Sequence, residues 1–97
     1  MTQIIHEGKE ACVRFSGQLS SAVCEALDLE VDQALLKKPE TVVFDLAEVS
    51  FVASVFLRIC LKTFKKMGRD HFCIINVSPA LMRVFAIAGL DEMVKTT

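Results

Sequence analysis

Two short runs, Val42-Val43-Phe44 and Phe72-Cys73-Ile74-Ile75, contain no polar residue. A strand with one wet face alternates apolar and polar side chains. An unbroken apolar run instead fits a strand covered on both faces, as in the interior of a parallel sheet. Between the two runs, Leu57, Cys60, Leu61 and Phe64 recur at helical spacing. Strand, helix and strand in that order give parallel pairing through a right-handed crossover.

The rest of the chain extends this pattern. Gln3–His6 is a strand, and Gly8 allows the turn after it. Ala11–Ser16 alternates, with Ala11, Val13 and Phe15 on one face, and Gly17 ends it. Ser20 or Ser21 caps a first helix with Val23, Ala26, Leu27, Val31, Ala34 and Leu35 inward. Pro39 forbids its continuation. Thr41–Leu46 is the central strand, and residues 47–53 read as a loop before the second helix. Gly68 stops that helix. Ser78-Pro79 is an N-cap followed by proline at the first helical position. Leu81, Val84, Phe85 and Ala88 face inward, and Gly89 stops the third helix. Asp91–Lys95 fits a short helix or a strand equally well. The expected order is β-β-α-β-α-β-α, an α/β fold. Its sheet is mixed but mostly parallel, with an antiparallel edge strand and helices packed against it.

With 97 residues, the chain reads as a single domain, 1–97. Its hydrophobic fraction of 53% requires extensive burial, and its net charge of −1 argues against nucleic-acid binding. No apolar run is long enough for direct membrane insertion, and no signal pattern opens the chain. The expected compartment is the cytoplasm. Cys12, Cys24, Cys60 and Cys73 form no C-x-x-C pair, and each lies in an apolar segment. They read as small core residues in a reducing compartment. His6 and His71 each stand alone, so no metal site is expected. Phosphate-loop, dinucleotide and nucleophile-elbow motifs are missing, so neither catalysis nor a cofactor is expected.

Ser54 carries the main functional signal. It stands at the mouth of the second helix, where outward N–H groups favour an anion. The position suits a regulatory phosphoserine and an ordinary helix cap alike. Val55 and Phe56 follow it; Phe56 and Ile59 either pack on a neighbouring helix or form an exposed apolar spot beside the serine. Asp45 ends the central strand, at the sheet edge that hosts binding in open α/β folds, and it also suits a turn. Arg58, Lys62, Lys65, Lys66 and Arg69 give the second helix a basic side, suited to solubility or to an acidic protein partner.

These residues resemble a STAS domain, the fold of bacterial anti-sigma-factor antagonists. The resemblance rests on Phe15-Ser16-Gly17-Gln18-Leu19 and on Val43 to Phe51. It continues through Ser54–Leu57, Asn76-Val77-Ser78-Pro79, Arg83-Val84-Phe85 and Ala88-Gly89-Leu90. The family's phosphoacceptor hydroxyl falls on Ser54. Here Ala53 replaces the usual preceding aspartate, Val55 and Phe56 occupy the next two positions, and Ser20 replaces an acidic residue. The resemblance implies signal transduction in transcription regulation by partner switching. The partner would be an anti-sigma factor or related serine kinase, released by phosphorylation of Ser54 and regained through a phosphatase. Asp45, Ser50, Ala53, Val55, Phe56 and Arg58 are the expected partner-binding residues. The alternative is an unphosphorylated STAS scaffold or accessory subunit of a transporter or sensory complex. A homodimer is left open, as is pairing through the edge strand near Ile4 and Ile5.

Overall fold

The N-terminal hairpin forms as expected, from β1 (Thr2–Glu7) and β2 (Glu10–Leu19), and turns at Gly8 with φ +58°. The computed structural model describes residues 2–95. β3 (Thr41–Val52) pairs parallel with β2, and β4 (Phe72–Ile75) pairs parallel with β3. The spatial order is β1-β2-β3-β4, with β1 the antiparallel edge. The helices are α1 (Ser21–Leu36), α2 (Ser54–Met67) and α3 (Pro79–Ile87). A 3₁₀ turn at Arg69–His71 precedes β4. Asp91–Met93 is a second 3₁₀ turn, and Val94 then bridges in parallel to Ile74. The last segment is thus a helical turn followed by a strand contact.

The core lies on one face of the sheet. Ala11, Val13, Phe15, Val42, Phe44, Phe72 and Ile74 point into it. Phe56 of α2 meets Phe15 edge-on at 5.0 Å and lies 6.2 Å from Phe44. Phe44 also meets Phe15 at 5.0 Å and Phe72 at 4.9 Å, both edge-on. Such geometries set the positive ring edge against a negative ring face. On the opposite face, Cys12, Val43, Cys73 and Ile75 are only half-buried and Arg14 is exposed. The expected cover on both faces is therefore not what forms. Apolar residues on the second face line a half-exposed surface instead.

The helices are rotated relative to the expected stripes. In α2, Phe56, Ile59, Cys60 and Thr63 are buried, while Leu57, Leu61 and Phe64 are half-buried. Thr63 fits because its hydroxyl donates to Ile59 O at 2.8 Å, which satisfies the polar atom within its own helix. In α1 the buried residues are Cys24, Leu27, Val31, Ala34 and Leu35, leaving Val23 and Ala26 exposed. In α3, Leu81 and Phe85 are buried and Ala88 is exposed. Ser78 caps α3 as expected, its Oγ accepting from Leu81 N at 3.3 Å. Gly68 ends α2 with φ +89°, a conformation that side chains disfavour. Cys24 and Cys60 are core residues, whereas Cys12 and Cys73 are half-buried on the second sheet face. Burial pushes all four thiols up, which disfavours the reactive thiolate.

Candidate functional site

The segment read as a loop is strand. β3 runs on through Val52, and its tail pairs with Ser16–Leu19. Two irregularities explain the misreading. From Arg14 to Ser16 the partner moves from Asp45 to Glu48, and from Gly17 to Gln18 it moves from Val49 to Phe51. Each step puts one extra residue on β3, as a β-bulge does. Alternation breaks twice, so Leu46, Val49 and Val52 are buried while the residues between them are exposed. Gly17, opposite Val49, takes φ +85°, which helps β2 follow the bend.

Asp45 holds the first bulge. Its Oδ1 accepts from Ala47 N at 3.0 Å and from Asn76 Nδ2 at 3.0 Å. Its Oδ2 accepts from Arg14 Nε at 3.4 Å. Burial alone would raise its pKa. The bonds from Asn76 and Ala47, with the Arg14 charge, outweigh that and hold the carboxyl below its ordinary range. Asp45 is 6% exposed, so it joins three strands rather than offering a contact to a partner.

Beyond the bulges, Ala53 N donates to Leu19 O at 2.9 Å and pins the entry to α2 beside the start of α1. Ala53 is the N-cap residue, extended at φ −86°, ψ 165°. Its O accepts from Phe56 N at 3.0 Å and from Leu57 N at 3.4 Å. Ser54 is therefore the first helical residue, not the cap. Its side chain is exposed and makes no hydrogen bond to the described residues. The N–H groups of Ser54 and Val55 belong to the first turn, where a helix lacks its own acceptors. No acidic residue lies in that turn.

Ser50 lies on the tail of β3, Ala53 at the junction, and Ser54, Val55 and Arg58 in the first turns of α2; of these, Val55 and Arg58 share a groove. Ser50 and Arg58 are exposed, and Ala53 and Val55 are half-buried. Phe56 is fully buried in the aromatic cluster and offers no surface, because the third residue of the helix points at the sheet, where its ring meets Phe15 and Phe44. The exposed apolar spot at this end is instead Phe51, 49% exposed and opposite Gln18. Sequence reasoning missed it, because residues 47–53 read as a loop, which assigns no inward or outward face. A shallow groove between α1 and α2 is lined by Asp28, Val55, Arg58, Ile59 and Lys62. Lys62 binds both Asp28 and Asp32, so the basic side of α2 is partly neutralised. Arg69 likewise pairs with Glu92 at 2.8 Å. Among the described residues there is no grouping of His, Cys, Asp and Glu able to hold a metal. No described helix is long and apolar enough to cross a membrane.

The family model for the STAS domain matches residues 2–97, nearly the whole chain. The chain belongs to the STAS domain family. An anti-sigma factor antagonist from Mycobacterium paratuberculosis superposes with a TM-score of 0.89 at 27% identity, over 100% of this chain and 86% of that one. The anti-sigma factor antagonist SpoIIAA in its unphosphorylated form gives a TM-score of 0.86 at 18% identity, over 100% and 88% of the two chains. The Bacillus cell fate determinant SpoIIAA in its phosphorylated form gives 0.77 at 18% identity, over 100% and 91%. At that identity the SpoIIAA likeness concerns the fold.

Proposed function

We propose that this STAS domain acts as an anti-sigma-factor antagonist in a partner-switching pathway, with Ser54 as its phosphoacceptor. The observation that carries this reading is the state of Ser54. It is exposed and lies at the N-terminus of α2, and its hydroxyl is not used as a helix cap. The names of the similar structures, antagonists of anti-sigma factors and one in a phosphorylated form, support the same reading. The partner is an anti-sigma factor or related serine kinase, and a phosphatase restores the binding form. Residues 1–97 act as one non-enzymatic, cytoplasmic module.

A phosphate adds roughly −1.5 to −2 charges at neutral pH. On Ser54 it meets the free N–H groups of the first turn, with Arg58 one turn further along. Helix-terminus interactions of this type contribute about 0.3–2 kcal/mol, so the fold tolerates the modification. A partner packed over Ser50, Ala53, Val55 and Arg58 would have to desolvate that charge, which is costly without a matching cation. Release follows from exclusion at the interface, with no refolding.

The test is incubation with the cognate kinase and ATP, followed by intact mass measurement. One added phosphate is expected, and none on Ser54→Ala. Ser54→Ala should bind its partner constitutively, and Ser54→Asp should bind weakly. An unchanged mass with a demonstrably active kinase would reject the switch and favour an unphosphorylated scaffold.

A further inference from the structure

The outward side of α1 is apolar where an exposed helix face should be polar. Ala22, Ala26, Leu29, Gln33 and Leu36 are all exposed, and they recur at alternating steps of four and three residues. On a helix this spacing makes one continuous stripe. It lies opposite the buried stripe of Cys24, Leu27, Val31, Ala34 and Leu35. Leu29 is 63% exposed and Leu36 is 75% exposed, too open to be explained by packing within the domain. A helix apolar on both sides is normally buried on both sides.

The charges beside the stripe indicate what covers it. Glu25 and Asp32 flank it on one side, and Glu30 flanks it on the other, followed by Lys37. A second copy of α1 fits poorly. Antiparallel pairing would set Glu25 against Asp32 and Glu30 against Glu30. Parallel pairing would set Glu25 against Glu30, relieved only by Asp32 against Lys37. Asp32 is already engaged, 3.3 Å from Lys62, which leaves Glu25 and Glu30 as the unpaired acids beside the stripe among the described residues. Like charges facing each other across a helix seam oppose association. An anionic membrane surface is disfavoured by the same acids. We propose that the outer face of α1 is a second docking surface, separate from the Ser54 junction, for an amphipathic helix of another protein. That helix has a leucine-rich seam flanked by lysine or arginine.

The probe is a pair of synthetic helical peptides with the same leucine seam, one flanked by lysines and one by glutamates. Binding to the full chain is read by NMR chemical-shift changes at the Leu29 and Leu36 methyls. The lysine peptide should shift these signals, and added salt should weaken it. The glutamate peptide should bind at least about tenfold more weakly. The double variant Leu29→Lys, Leu36→Lys should remain folded by circular dichroism, since both side chains are exposed, and should lose the response. Equal binding of the two peptides would overturn the proposal, as would shifts confined to other residues. A concentration-dependent dimer by sedimentation, lost in the double variant, would also overturn it by assigning the stripe to a second copy. Ser54→Asp should leave peptide binding unchanged, so a failed switch at Ser54 and a failed α1 surface give different results.

Discussion

Replacing Asp45 by alanine tests how the site is held. The change removes the acceptor for Ala47 N and Asn76 Nδ2, both at 3.0 Å, and the weaker pair with Arg14 at 3.4 Å. A hydrogen bond to a charged group contributes about 1.5–3 kcal/mol. The Arg14 pair adds less than about 1 kcal/mol, since that side chain is 46% exposed. Against these stands the relief of removing a carboxylate that is almost fully buried. The net loss should be about 2–4 kcal/mol. For a domain with about 5–15 kcal/mol in total, that is a large fraction. Melting should fall by roughly 8–32 °C, at about 4–8 °C per kcal/mol for this size. Urea denaturation at unchanged m-value is the decisive assay, with Asp45→Asn as the intermediate case because it keeps an acceptor for Ala47 N. The pH dependence adds a signed check. The folded carboxyl lies below its ordinary value of 3.8, so the unfolded chain takes up the proton first on acidification. The stabilisation is therefore complete above that value and disappears as pH falls through the lower folded value. Asp45→Asn should show a shallower acid decline than the parent protein. A loss below about 1 kcal/mol in Asp45→Ala, with an unchanged acid profile, would refute the reasoning.

Further predictions concern the helix ends and the core. Ser54→Ala should change stability by less than about 0.5 kcal/mol, because that hydroxyl caps nothing. Ser78→Ala should cost about 0.5–2 kcal/mol, because its Oγ does cap α3; thermal melts of the two variants check the contrast. Phe56→Ala should cost about 3–5 kcal/mol by denaturant unfolding, since the ring is fully buried. Phe56→Leu should fold and leave partner affinity unchanged, as measured by calorimetry against the proposed anti-sigma partner. Lys62→Ala should cost less than about 1 kcal/mol, and the difference from the parent should vanish in high salt.

The parts legible in the sequence are those decided by local chemistry. Ser78-Pro79 marks the start of α3 because its cap needs only neighbouring atoms. Gly68 marks the end of α2 because the backbone there has positive φ. Val42-Val43-Phe44 and Phe72–Ile75 announce strands, and both pair as expected. The errors lie where tertiary structure sets the phase. Residues 47–52 look like loop because two bulges destroy their alternation, and the pairing that creates the bulges lies on β2. Leu57 and Phe56 are equally apolar, so composition does not decide which faces the sheet; the Phe15 and Phe44 rings decide it. Apolar residues encircle α1, so periodicity misassigns Val23 and Ala26. At the site, the place of Ser54 at the start of α2 was legible from the residues around it, whereas its standing as first helical residue and not as cap was not. The burial of Asp45 and Phe56 was not, because it depends on Asn76 and on the aromatic cluster, both distant in sequence.

The paired bulges in β3 make its facing independent of its length. Each extra residue is absorbed locally, so Val49 stays opposite Gly17 and Val52 opposite Leu19 although β3 spends two more residues than β2 in reaching them. Removing the extra residue at either bulge would restore plain alternation there and leave Val49 and Val52 facing the core. What would change is the bend of the strand. A straighter β3 would re-aim the entry to α2, and Ser54 with it, over an unchanged core. Single-residue deletions at these two points should therefore keep the fold and alter how the serine is presented.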